Sequence, residues 1–101
     1  MCNHQEICNS NSGSVSISDC CETYRIMFNN IVLFQNSINF HCFYENGQEC
    51  YHSVKNDREK NKRDIVFTTV IENIKLAFSV NEIRELWYLL ESAHLESKNY
   101  V

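Results

Sequence analysis

Cysteine and histidine recur in this 101-residue chain as Cys2-x-His4 and again as Cys50-x-His52, with the doublet Cys20-Cys21 between them. Thiolate sulfur and imidazole nitrogen are the ligands of tetrahedral zinc, and a structural site needs four of them to converge. The expected set is Cys2, His4, Cys20 and Cys21, with Cys8, Cys50 and His52 as alternates. The spacing is a poor one, because adjacent cysteines point their side chains apart while zinc knuckles present C-x-x-C. The alternative chemistry for these residue types is a thiol-dependent enzyme or redox protein using a Cys/His pair, which requires an activated thiolate. No thiol is singled out for that role: Cys42 is offset from a Phe40, Phe43 stripe and reads as a packing residue, and His41 beside it faces solvent. His94 falls on the apolar side of a C-terminal helix, where a protonated imidazole meets the helix dipole favourably.

The elements that must position these residues are best patterned between Asp64 and Glu96. Ile65, Phe67, Thr69 and Ile71 alternate with Val66, Thr68 and Val70, and after Glu72-Asn73 the alternation resumes as Ile74, Leu76 and Phe78. A two-residue turn at Glu72-Asn73 would set Ile71 against Ile74, Thr69 against Leu76 and Phe67 against Phe78. Ser79-Val80-Asn81-Glu82 then has the form of a capping box, and Val80, Ile83, Leu86, Trp87, Leu90 and Ala93 recur at helical spacing. Upstream, Tyr24 to Phe28 and Ile31 to Phe34 alternate around a turn at Asn29-Asn30, with Tyr24, Ile26, Phe28, Ile31 and Leu33 on one face. Asn36 or Ser37 caps a shorter helix carrying Phe40, Phe43 and Tyr44, which Gly47 is expected to end. Ser14 to Ser18 reads as a short edge strand, and residues 1–13 show no periodicity.

A constant offset of 43 residues lays Asn30 on Asn73, Phe40 on Ile83, Phe43 on Leu86 and Tyr44 on Trp87, which suggests an internal duplication. The expected fold is α+β: two β-hairpin-plus-helix units forming a four-stranded, mainly antiparallel sheet with two helices on one face. The organisation is one domain, with a Cys/His-containing segment over 1–22, a first ββα unit over 23–47, a polar loop over 48–63 and a second unit over 64–97.

Composition bounds the partners. The formal charge of −4 and pI near 5.5 argue against broad adhesion to nucleic acid or anionic membrane. Residues 55–63 carry five basic and two acidic groups but no interleaved aromatic residue, so they read as a solvated loop. No apolar run reaches the roughly 20 residues of a membrane span, and no basic region followed by an apolar core opens the chain, so a cytoplasmic address is expected. In that compartment the six cysteines are reduced thiols or metal ligands and not a disulfide framework.

The order Cys-x-His, a cysteine cluster near residue 20, YRIMFNNIVLF, a Phe-containing helix and NIKLAFSVNEIRELWYLLESA resembles a small, functionally uncharacterised family of Bacteroidota proteins across nearly the whole chain. The resemblance implies a Cys-x-x-Cys before the first strand that forms a metal knuckle with the N-terminal Cys-x-His. Its second cysteine matches Cys21, and its first falls on Ser18, so Cys20 would have to substitute. It implies no activity, substrate or partner. The expected function is therefore a non-enzymatic interaction or assembly module with a structural zinc site, and it is expected to be a homodimer. The sheet face opposite the helices carries Met27, Val32, Phe34, Val66, Val70 and Ala77, more apolar surface than water tolerates, so either the N-terminal segment folds over it or a second copy does, the second being the commonest solution. Tyr88 and Leu89 offer a second contact.

Overall fold

The computed structural model describes residues 3–18, 22–69 and 71–97. Four consecutive strands, β1 (His4–Ser10), β2 (Gly13–Ser18), β3 (Tyr24–Phe28) and β4 (Ile31–Gln35), form an antiparallel sheet in chain order. α1 (Ser37–Val54) follows, then β5 (Ile65–Thr68) and β6 (Lys75–Phe78) as a separate two-stranded sheet, then α2 (Val80–Ser97). The α+β class, the four-stranded antiparallel sheet and the two helices are those expected. The membership of the sheet differs: its first two strands come from the N-terminal segment, and the β5–β6 hairpin pairs only with itself. No helix among the described residues is long and apolar enough to cross a membrane.

The register explains which face is buried. Val15 pairs with Ile26 and Ile26 with Leu33, while Gly13 pairs with Phe28 and Phe28 with Ile31, so these side chains share the face under the helices. The alternate rows, Ser14, Met27 and Val32, and Glu6, Ser16, Arg25 and Phe34, form the outer face. At the β3–β4 turn Asn29 takes the left-handed backbone, φ 53°, that asparagine tolerates. β1 is an edge strand whose polar residues left no period-2 trace in the sequence, and a register shift between Glu6 and Cys8 lets Ile7 reach the core.

The second hairpin is paired two residues away from the expected register, with Phe67 opposite Leu76 and Ile65 opposite Phe78. A two-residue turn at Glu72-Asn73 needs left-handed backbone that neither residue adopts. Instead the Ile71 N–H and the Ile71 and Ile74 carbonyls all bond the Thr69 hydroxyl, closing a wider loop. A shift of two preserves the face, so Phe67 is still buried and Val66 still exposed.

Both helices are capped as their sequences suggest. Asn36 Oδ1 accepts from the Asn39 N–H at 2.8 Å. At α2 the Ser79 Oγ accepts from the Glu82 N–H at 3.1 Å while Glu82 Oε1 accepts from the Ser79 N–H at 3.0 Å, the two halves of a capping box. Gly47 does not end α1, which continues through residues expected to be loop as far as Val54. Its role is contact: a Cβ there would lie 2.9 Å from Leu90 Cδ1, so the missing side chain lets α2 approach α1. Of the two residues expected to offer a second contact, Tyr88 is exposed but Leu89 is fully buried. The sheets join through rings: Phe28 meets Phe78 edge-on, and Phe67 meets both Phe78 and Phe43.

Candidate functional site

Cys2, Cys20 and Cys21 lie outside the described residues, so of the principal zinc set only His4 has a described position. It begins β1 opposite Ser18, the last residue of β2, and its ring meets Phe34 edge-on at 6.2 Å. Its Nδ1 is buried and has no hydrogen-bond partner. Of the alternates, Cys8 lies on the core side of β1, Cys50 on α1 half-buried, and His52 on the exposed side of α1. Among the described residues no three His, Cys, Asp or Glu side chains gather closely enough to hold a metal ion.

The described thiols divide by environment. Burial pushes the Cys8 thiol up to about 11; a Val15 N–H opposes this shift, and Glu6 and Glu96 add to it. The Cys8 thiol donates to the Leu89 carbonyl at 3.5 Å. Burial, then Glu49, raises Cys50 as well. Both are held as protonated thiols, the reverse of activation. Cys42, read from the sequence as a packing residue, is exposed because it falls on the solvent side of α1. His94 stacks on Tyr44 with centroids 4.2 Å apart, within the aromatic seam of α1 and α2.

The outer face of the main sheet leaves apolar side chains in water. Met27, Val32 and Phe34 are 40%, 50% and 63% exposed. Beside them Arg25 donates from Nη2 to Ser16 Oγ at 3.4 Å, while its Nε, like His4 Nδ1, is buried without a partner. Val66 and Ala77, expected on the same face, are exposed on the separate β5–β6 sheet, and Val70 lies outside the described residues.

A polar clasp fixes the basic loop to α2. Arg63 bonds Glu82 through Nε at 2.9 Å and Nη2 at 3.0 Å, and Asn29 Nδ2 donates to the same carboxylate at 3.1 Å. Arg84 donates to the carbonyls of Val54, Lys55 and Asp57, where α1 ends. Burial pushes the Glu82 carboxyl up, but the Arg63 hydrogen bond, the Ser79 N–H and the Arg63 charge together outweigh it and hold the group below its ordinary value. A depressed carboxyl contributes stability that is present above its unfolded value and lost as pH falls through the folded one. Glu82→Gln should therefore cost on the order of 1 kcal/mol at pH 7. Urea melts of both proteins should converge below the ordinary glutamate range of about 4.3; a constant gap down to pH 3 would exclude ionisation as the cause.

Sequence reasoning missed one residue of consequence. Gln35 continues the core-facing alternation of Ile31 and Leu33, and an amide at a core position was the available signal. It is 6% exposed and its Oε1 has no hydrogen-bond partner.

A family model described as "Family of unknown function (DUF6686)" matches residues 1–101. No curated protein and no solved structure matches the chain.

Proposed function

The chain belongs to this family of unknown function over residues 1–101, and from that premise we propose that it is a non-enzymatic interaction module that pairs with a second copy through the outer face of β1–β4. The observation that carries the reading is the run of Met27, Val32 and Phe34 left in water on β3 and the edge strand β4. A two-fold interface sets one patch against itself, and the register row that ends in Phe34 also carries the cation Arg25 and the anion Glu6, so each copy presents both signs of charge to the other beside the apolar run. The protonated state of Cys8 and Cys50 favours this reading over thiol catalysis. Light scattering at high micromolar concentration should return twice the 11.9 kDa chain mass. Phe34→Asp, a substitution at an exposed position, should return one chain mass with the circular dichroism unchanged. A wild-type monomer at that concentration overturns the proposal.

A second reading rests on His4. Its partnerless Nδ1 stands at the end of β1 where Ser18, two and three residues before Cys20 and Cys21, is its strand partner. Zinc bound by Cys2, His4, Cys20 and Cys21 would give that nitrogen a ligand and tie down the two chain segments leaving the hairpin. Protein purified without chelator should carry one zinc per chain by elemental analysis, and His4→Ala and Cys21→Ser should each lower that stoichiometry. Occupancy should fall as pH drops, because the ligands bind deprotonated. Metal-free wild-type protein that takes up no added zinc rejects the site.

A further inference from the structure

Tyr88 follows Arg84 and Glu85 by four and three residues on α2, so helical spacing places both charged side chains beside its ring. The β1–β2 turn lies against that flank, with the Ser12 hydroxyl donating to Glu85 Oε2. Ser10, Asn11 and Ser12 of the turn and Arg84, Glu85 and Tyr88 of the helix line a cavity of about 350 Å³. We propose that this cavity binds a free α-amino acid with an aromatic side chain, its carboxylate on Arg84, its ammonium on Glu85 and its ring on Tyr88.

The charges carry the inference, independently of the sheet-face interface. Arg84 is fixed by Nη2, which donates to the Val54, Lys55 and Asp57 carbonyls, while its Nε and Nη1 have no partner among the described residues and are not shut off from water. Glu85 is fixed by Ser12 through one oxygen, and its other oxygen is unclaimed on an exposed residue. No ion pair joins the two among the described residues. A neighbouring cavity of about 580 Å³ offers no such pair of unused charges, because its Arg63 and Glu82 are bonded to each other.

A held cation and a held anion at one cavity match an occupant that carries both signs, whereas an occupant with a single charge leaves one of them without a partner. Tyr88 selects the rest of the ligand. It is 64% exposed and takes no part in the aromatic pairs of the α1–α2 seam, so its ring is free to meet another in an offset or edge-on contact. The volume stands at the lower end of the roughly 300 to 1,000 Å³ of small-molecule sites, which suits a single amino acid.

The test is calorimetric titration of the full chain with L-phenylalanine, with 3-phenylpropionate, which lacks the ammonium, and with phenethylamine, which lacks the carboxylate. Phenylalanine should bind at one site with a Kd on the order of 100 µM. Each analogue should bind at least about tenfold more weakly, the factor carried by one charge-assisted hydrogen bond. Glu85→Gln, a change at an exposed position that keeps an acceptor for Ser12, should weaken phenylalanine about tenfold and should not weaken 3-phenylpropionate. Tyr88→Ala should weaken phenylalanine about fivefold. Arg84 is left in place because it fastens the end of α1, and removal of the ligand's carboxylate tests its contact instead. No saturation by about 10 mM phenylalanine, an analogue that binds as tightly as phenylalanine, a Glu85→Gln effect of equal size on 3-phenylpropionate, or an affinity unmoved by Tyr88→Ala would overturn the proposal.

Discussion

Gly13→Ala should destabilise the fold by about 3 kcal/mol or more, although it adds a single methyl group. Gly13 stands where β2 leaves the first hairpin, between Ser10 on β1 and Phe28 on β3. A Cβ built there would lie 1.8 Å from the Met27 carbonyl oxygen, 2.8 Å from its carbon and 3.0 Å from Phe28 Cα. All three are main-chain atoms, so no rotamer change relieves the overlap, and β2 and β3 must separate and lose ladder hydrogen bonds where the sheet covers its core. For a domain of this size that corresponds to a fall of about 15 °C in melting temperature. A calorimetric shift under about 3 °C would mean that the strands yield without breaking their pairing, and the close approach would lose its structural importance.

Leu90→Ala should cost a similar amount, about 3 to 4 kcal/mol, through a different cause. Leu90 is fully buried where α2 crosses α1, and its Cδ1 occupies the space that Gly47 leaves open. Truncation removes apolar contacts and leaves a void that two helices held by neighbouring aromatic pairs cannot close. The pairing with Gly47 gives the test its sign. Gly47→Ala alone meets Leu90 Cδ1, but in the Leu90→Ala background that atom is gone and alanine is a better helix former than glycine by about 1 kcal/mol. The double variant should be more stable than Leu90→Ala by that amount in urea denaturation. A double variant no better than the single one would show that Gly47 does not answer to Leu90.

What the sequence made legible were the elements whose signals are local. The Ser79/Glu82 capping box forms both of its hydrogen bonds, and the turn at Asn29-Asn30 sits between the two strands read on either side of it. Less legible was whatever depended on partners distant in sequence. β1 has few apolar residues because it is an edge strand, so alternation could not reveal it, and the β5–β6 hairpin looked like half of the main sheet because strand patterning does not encode which strand is the neighbour. Gly47 resembled a helix terminator because a glycine needed for helix contact has the same letter as one needed for left-handed backbone. The candidate site followed the same division: the exposure of Met27, Val32 and Phe34 followed from alternation, whereas the cavity between the β1–β2 turn and α2 needed the third dimension.

The sheet is built from the first strands of the chain, but α2 covers β1, with the Cys8 thiol meeting the Leu89 carbonyl 81 residues away. At translation rates of about 5 to 20 residues per second, β4 emerges several seconds before α2. Hairpins close in about 1 to 10 microseconds, so a nascent four-stranded meander has time to form long before its cover exists. During that interval Ile7, Val15 and Ile26, all buried in the finished fold, face water or the ribosome surface. The exposed intermediate, and not the finished protein, is where chaperone binding and aggregation of this chain will concentrate, and the hazard ends only when α2 is made.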